Sequence, residues 1–219
     1  MRIRRMVTAA AALMMAGVLA FAGPKASFPD PAVDIPANAQ SGPQKAVLAG
    51  GCFWGVQAVF DHLKGVTKTV AGFAGGEKST AHYETVSTGR TGHAESVEIT
   101  YDPNVITYGQ ILKVYFAIAH DPTELNRQGP DSGTQYRSAI FYMNDEQKKV
   151  AEAYIQQLDN TDIYNRKIVT QVVPFSGFYA AEGYHQHYLQ SHTDQPYIVY
   201  NDLPKLEALK KQYPQMCKR

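Results

Sequence analysis

Two extended apolar runs follow one another with no helical pattern between them: Val66 to Phe73, and then Ala94 to Tyr101. This succession restricts the fold more than any other stretch. Parallel neighbours in a sheet need a crossover, usually a helix, and the polar segment Glu77 to Gly92 between these runs carries no apolar helical stripe. The elements on either side complete a symmetric order. Before them stand a short strand, Ala46 to Ala49, and a helix with Val56, Val59, Phe60 and Leu63 on one face. After them come a helix opened by the capping-box spacing Thr107 to Gln110, running to Ala119, and a strand from Tyr136 to Tyr142. Strand, helix, strand, strand, helix, strand is the split β-α-β pattern. It predicts an α+β fold: a two-layer α/β sandwich with a ferredoxin-like core and a mixed, largely antiparallel sheet. A doubly wound parallel sheet is the alternative this order disfavours.

The rest of the chain adds to that core. The loop His120 to Gln135 is long and polar, and loops of this kind are usually functional or disordered. Asn144 caps a helix with Val150, Ala151, Tyr154, Ile155 and Leu158 on one face, and Val169 to Phe175 reads as a strand. Ala181 to Gln190 is helical in pattern and Tyr197 to Tyr200 extended. Leu203 to Tyr213 is a helix with Asp202 as its cap and Pro204 in its first turn. At the start, three arginines, an apolar run and Ala20-Phe21-Ala22 read residues 1–22 as a secretory signal, with a retained N-terminal anchor as the alternative. Export to the periplasm is therefore expected. Residues 23–44, with five prolines, read as a linker, and residues 45–219 as a single catalytic domain with a C-terminal tail. A net charge of +1 without long single-sign runs argues against a nucleic-acid partner.

The chemistry concentrates at Gly50-Gly51-Cys52-Phe53-Trp54-Gly55, which holds one of only two cysteines and the only tryptophan. A strand, a glycine turn and a helix in immediate succession put Cys52 at a helix start. There, free backbone N–H groups favour an anion, so the thiol is expected to ionise more easily than usual. Glu95 shares the parity of Val97, Ile99 and Tyr101 and would point inward, where desolvation keeps a carboxyl protonated and able to donate. A strand-end carboxylate facing solvent, or paired with Arg90 or Arg137, fits parity equally well. Phe53 and Trp54 by themselves read as core packing. The chain holds 14 tyrosines, residues able to grip a polar oxygen inside an apolar wall.

Taken together, Gly51-Cys52-Phe53-Trp54-Gly55, Gly92-His93-Ala94-Glu95, Tyr101-Asp102-Pro103, His120-Asp121-Pro122-Thr123 and Gly133-Thr134-Gln135-Tyr136-Arg137-Ser138 closely resemble the A-type peptide methionine sulfoxide reductases, in the same order, from about Lys45 to about Lys211. The resemblance implies a peptide-methionine (S)-S-oxide reductase in which Cys52 is the nucleophile and Glu95 the acid. It further implies that Tyr83 and Tyr136 hydrogen-bond the sulfoxide oxygen, that Asp131 lines the pocket, and that Phe53 and Trp54 accept the S-methyl group. Methionine sulfoxide in oxidised proteins or peptides is the implied substrate and a thioredoxin-like dithiol the implied reductant; a monomer is expected. Cys217 is the candidate resolving thiol, against a permanent disulfide or direct reduction of Cys52 by an external thiol. Its tail departs from the family's glycine-rich form, since no glycine follows Gly183. No phosphate loop or dinucleotide fingerprint is present, so no cofactor is implied. Two other chemistries compete: a cysteine hydrolase or acyltransferase pairing Cys52 with His93 or His185, and a metal module of His185, His187, His192 and a cysteine, whose spacing fits no common zinc pattern.

Overall fold

A computed structural model of the chain describes residues 28–218; the expected signal, residues 1–22, lies outside the described residues. The strands are β1 (Gln44–Ala49), β2 (Val66–Ala74), β3 (Ala94–Tyr101), β4 (Arg127–Gln128), β5 (Asp131–Ser132), β6 (Ala139–Tyr142), β7 (Gln171–Pro174) and β8 (Phe178–Ala180). The α-helices are α1 (Phe53–Asp61), α2 (Tyr83–Val86), α3 (Tyr108–Val114), α4 (Asp145–Asp159), α5 (Tyr188–Ser191) and α6 (Leu203–Gln212). Six strands form one sheet in the order β7-β6-β1-β3-β2-β8. Both β1 and β2 run antiparallel to β3, which lies between them, so β1-α1-β2 is a split β-α-β unit. With β6 antiparallel to β1, the core order is ferredoxin-like, and among the described residues the one parallel pair is β6 with β7. The main core joins one sheet face to α1, α3, α4 and α6 through Leu48, Val97, Ile99, Val59, Phe60, Leu112, Tyr154 and Leu209. A smaller cluster of Val47, Ala49, Ala94 and Phe141 covers the other face.

Several local expectations change once tertiary contacts are counted. The loop His120 to Gln135 holds the β4-β5 hairpin and a 3-10 turn, Thr134–Tyr136, so the strand expected from Tyr136 begins at Ala139. The helix expected over Ala181 to Gln190 is broken into a 3-10 turn and α5 at His187, whose φ is 53°. Tyr197 to Tyr200, expected to be extended, is helical: Ile198–Asp202 is a π turn leading into α6. Its aromatic and β-branched residues favour strands, yet Ile198 and Asp202, four apart, must both face inward (each 0% exposed), and helical spacing does that.

The proline-rich stretch also departs from a linker between Phe28 and Gln40. Ile35 is 4% exposed and joins the main core. Asp34 accepts hydrogen bonds from the Gly109 N–H at 2.8 Å and from the Thr107 hydroxyl. The Tyr154 hydroxyl donates to the Pro29 carbonyl at 2.7 Å, and Gln157 bonds both Ala32 and Asp30. Prolines remove regular backbone partners, and here side chains of α4 supply partners to the backbone while Asp34 caps the start of α3.

Candidate active site

Strand β1 ends in a turn that only glycine tolerates at one point. Gly51 has φ 88°, and a Cβ there would meet Gln128 Cγ at 2.5 Å. Gln128 clamps the β4-β5 hairpin over this turn, accepting from the Asp121 N–H at 2.9 Å and donating to its carbonyl at 3.0 Å. The preceding carbonyl, of Ala49, accepts from the buried Tyr115 hydroxyl at 2.7 Å. Held from both sides, the chain turns at Cys52, the N-cap of α1. Glu95 reaches the same helix end from β3: its Oε2 accepts from the Phe53 N–H at 3.0 Å. Of the two readings that parity allowed, the inward one holds, with Glu95 2% exposed. Arg137 instead donates to the carbonyls of Gly92, His93 and Thr134.

Burial raises the Glu95 pKa to about 8, opposed by the Phe53 N–H and aided by Asp131, so the carboxyl keeps its proton at neutral pH. The Cys52 thiol, 8% exposed, corrects the expectation of easy ionisation. Burial first, then the charges of Glu95 and Asp202, push its pKa well above the usual value. The helix start does act in the expected sense: the Trp54 N–H points at the sulfur and lowers the pKa, as does Lys205, without making a full capping hydrogen bond. Desolvation outweighs both.

The other expected residues lie near this pair. Tyr83 and Tyr136 are partly buried, and in each burial and then the Glu95 charge raise the phenol pKa. The Cys52 charge also acts on both. Asp131, on β5, is partly buried and raised in pKa by burial, and it accepts a hydrogen bond from the Tyr197 hydroxyl. Phe53 is 1% exposed, its ring packed on Phe73, His185 and Tyr83 at centroid distances of 5.8, 5.2 and 6.5 Å. Trp54 stacks on Tyr188 at 3.9 Å, meets Tyr197 edge-on at 6.0 Å, and donates from Nε1 to His185 Nδ1 at 3.1 Å. The result is a cluster of aromatic rings around an uncharged thiol and acid with tyrosine hydroxyls near them, chemistry suited to a small apolar group bearing one strong acceptor.

Cys217 is not part of this gathering. It pairs with Leu63, just beyond the far end of α1, and its thiol points to the Tyr213 carbonyl at 3.4 Å. Eleven residues of helix and turn put it roughly 15 Å from Cys52, beyond the span of a disulfide, and both cysteines are free.

The histidines of the competing readings have partners other than Cys52. His93 accepts from the Gly76 N–H and donates to the Glu77 carbonyl, while His185 is bound to the Trp54 indole. His187 pairs with Asp61 and His192 with the Tyr188 carbonyl. Among the described residues no three His, Cys, Asp or Glu side chains gather as a metal would require. Sequence reasoning missed Tyr188, Tyr197, Asp202 and Lys205 as site residues; they lie more than 130 positions from Cys52, and no local pattern ties them to it.

A cysteine at a helix start, a buried protonated acid and nearby tyrosines are parts that fit a thiol-based oxidoreductase. The comparisons name the kind. The family described as "Peptide methionine sulfoxide reductase" matches residues 44–217. A peptide methionine sulfoxide reductase of Mesorhizobium japonicum is 60% identical over 81% of this chain and 91% of its own length, and one of Synechocystis 50% identical over 87% and 90%. Among solved structures, reduced Mxr1 of Saccharomyces cerevisiae is 35% identical with a TM-score of 0.63, covering 69% of this chain and 87% of its own. Methionine sulfoxide reductase A of Corynebacterium diphtheriae is 34% identical with a TM-score of 0.60, covering 78% and 86%. The chain belongs to the A-type peptide methionine sulfoxide reductases: it is a thiol-dependent oxidoreductase that reduces methionine sulfoxide to methionine.

Proposed function

We propose that Cys52 is the nucleophile of this reaction and Glu95 its proton donor. The observation that carries this is the convergence of both on the first turn of α1, with the Glu95 carboxyl kept protonated by burial. Cys52 gives its proton to the sulfoxide oxygen and attacks the sulfoxide sulfur, forming an S–S bond; Glu95 adds a second proton to that oxygen, the S–O bond breaks and water leaves. Water then attacks the Cys52 sulfur, the S–S bond breaks with its electron pair on the methionine sulfur, and the proton released returns to Glu95. Two electrons thus pass from the cysteine sulfur to the methionine sulfur. The products are the thioether and a Cys52 sulfenic acid. Tyr83 and Tyr136 donate to the oxygen, Asp131 holds Tyr197 at the pocket wall, and Phe53 and Trp54 supply apolar contact to the S-methyl group. Hydroxyl donors that a thioether would leave unpaired favour sulfoxide over product.

The sulfenic acid is returned to the thiol by a thioredoxin-like dithiol. Cys217 serves as an intermediate resolving thiol only after the tail detaches from α1, because a disulfide cannot span the present separation. The substrate is oxidised protein or peptide, the S epimer being the one the resemblance implies. The enzyme works as a monomer after export. One turnover without reductant, in the presence of a 1,3-dione that traps sulfenic acids, tests the core of this reading. One methionine per chain and a label on Cys52 are expected; methionine formed with Cys52 unlabelled and unbridged overturns it. The mass of the mature N-terminus tests export.

A further inference from the structure

The first turn of α1 has a second acidic neighbour, besides Glu95. Asp202 is 0% exposed, and its Oδ1 stands 2.0 Å from where a Cβ on Gly55 would be, with Lys205 Nζ 3.0 Å from the same point. Gly55 is the third residue of α1, the position whose side chain, in a capping box, folds back toward the N-cap. Here the N-cap is Cys52 and the third residue has no side chain. A carboxylate from the start of α6 takes that volume instead. Lys205 Nζ donates to Asp202 Oδ1 at 3.1 Å, while Asp202 Oδ2 is buried without a partner. An ion pair with one bare oxygen is thus inserted against the turn that carries the nucleophile.

The charges facing this point come from several elements. Cys52 lies on the α1 turn, Glu95 on β3, Asp131 on β5, Tyr197 before the π turn, and Lys205 on α6; Lys205 also acts on His120 beyond the turn. Cys52, Glu95 and Asp202 each become negative on losing a proton; burial raises the pKa of all three, and Lys205, bonded to Asp202, lowers those of Asp202 and Cys52. Groups so close in a dry environment titrate together, and ionising one opposes ionising the next.

We propose that Asp202, partly neutralised by Lys205, is a positioning residue that holds the resting nucleophile in its thiol form. The consequence is protective. The thiolate is the form that peroxides oxidise, and a buried carboxylate packed on the first turn of α1 keeps that form scarce until substrate binds. The π turn also links this device to the pocket, because it begins next to Tyr197 and ends at Asp202.

The inference rests on Cys52 being the nucleophile, but its test reads the thiol and not turnover, so the two can fail separately. The reduced full chain is alkylated with iodoacetamide across a pH series, and modification of Cys52 is followed by peptide mass. Asp202→Asn leaves Lys205 without its ion-pair partner. It is expected to lower the midpoint of Cys52 alkylation, and at pH below the midpoint alkylation should run about tenfold faster for each pH unit by which the midpoint falls. The same variant should form sulfinic acid faster with hydrogen peroxide. Asp202→Asn combined with Lys205→Met removes both charges and should place the midpoint between that variant and the parent. A midpoint unmoved by Asp202→Asn, or single and double variants displaced alike, as loosened packing would give, overturns the proposal. If Asp202→Asn fails to fold, the neutral double variant decides: a midpoint below the parent's supports the proposal, and an equal one overturns it.

Discussion

Helix α1 has a cysteine at each end, and the two ends are built in opposite ways. At the Cys52 end the free backbone N–H groups turn toward ionisable side chains, with Phe53 donating to Glu95 and Trp54 pointing at the sulfur. At the Cys217 end backbone meets backbone. The Lys64 N–H donates to the Met216 carbonyl and the Lys218 N–H to the His62 carbonyl, both at 2.8 Å. Lysine side chains close the seam, Lys218 Nζ on the Asp61 carbonyl at 2.7 Å and Lys64 Nζ on the Gln215 carbonyl at 2.8 Å. A thiol among titrating neighbours is governed by charge. One sewn in by backbone hydrogen bonds is governed by local opening, which costs those bonds. The same element thus offers one reactive end and one latched end.

The largest expected effect removes the reactive end. Cys52→Ser should lower methionine formation by at least about 10³-fold, as loss of a nucleophile does elsewhere, read by chromatography of a methionine sulfoxide peptide with dithiothreitol as reductant. Cys217→Ser should leave the first turnover at the parent rate. If the two variants lose activity alike, the contrast between the ends is wrong.

Glu95→Gln comes next, with a loss of roughly 10²–10⁴-fold in the single-turnover rate and little change in substrate affinity. The pH dependence has a defined sign. Glu95 donates while protonated, so the reductive rate should fall as pH rises through about 8, and the variant should lack that limb. Stability follows the same proton. The folded pKa lies above the unfolded one, so the folded state binds the extra proton between them, and the parent loses stability as pH rises from about 4.5 to about 8. The midpoint temperature of Glu95→Gln should therefore gain on the parent across that window and level off above it.

Trp54→Ala, which opens the apolar wall and frees His185 Nδ1, should cost about tenfold or more in kcat/KM. Steady-state kinetics on the peptide and on an analogue with S-ethyl in place of S-methyl would check it: the variant should discriminate less between them. The smallest effect belongs to the latched end. Lys64→Ala with Lys218→Ala removes two side-chain bonds to carbonyls and should speed formation of the Cys52–Cys217 disulfide a few-fold after one turnover, measured by quenched mass mapping, with the methionine-forming step unchanged. An unchanged disulfide rate would mean that the seam does not hold Cys217 away.

Much of this was legible in the chain itself. The split β-α-β order follows from hydrophobic periods set by backbone geometry, which need no distant partner. Glu95 could be placed on the inner face because strand side chains alternate, and Cys52 at a helix start because a strand, two glycines and an apolar stripe adjoin. Thr107 was legible as a cap, and the structure has the full capping box with Gln110. What these patterns share is that cause and effect lie within a few residues.

The tertiary structure decided the rest, because charge state and proximity depend on which residues exclude water from one another. The helix start alone predicted an easily ionised thiol. Burial of the turn beneath Gln128, with Glu95 and Asp202 beside it, reverses that. Trp54 meets a histidine 131 positions away, and Asp202, legible only as a helix cap, fills the space that Gly55 leaves empty. The proline-rich stretch became part of the core because helices elsewhere in the chain supply its hydrogen bonds. Sequence determined where a thiol and an acid would stand; the folded surroundings determined which of their protons stay on.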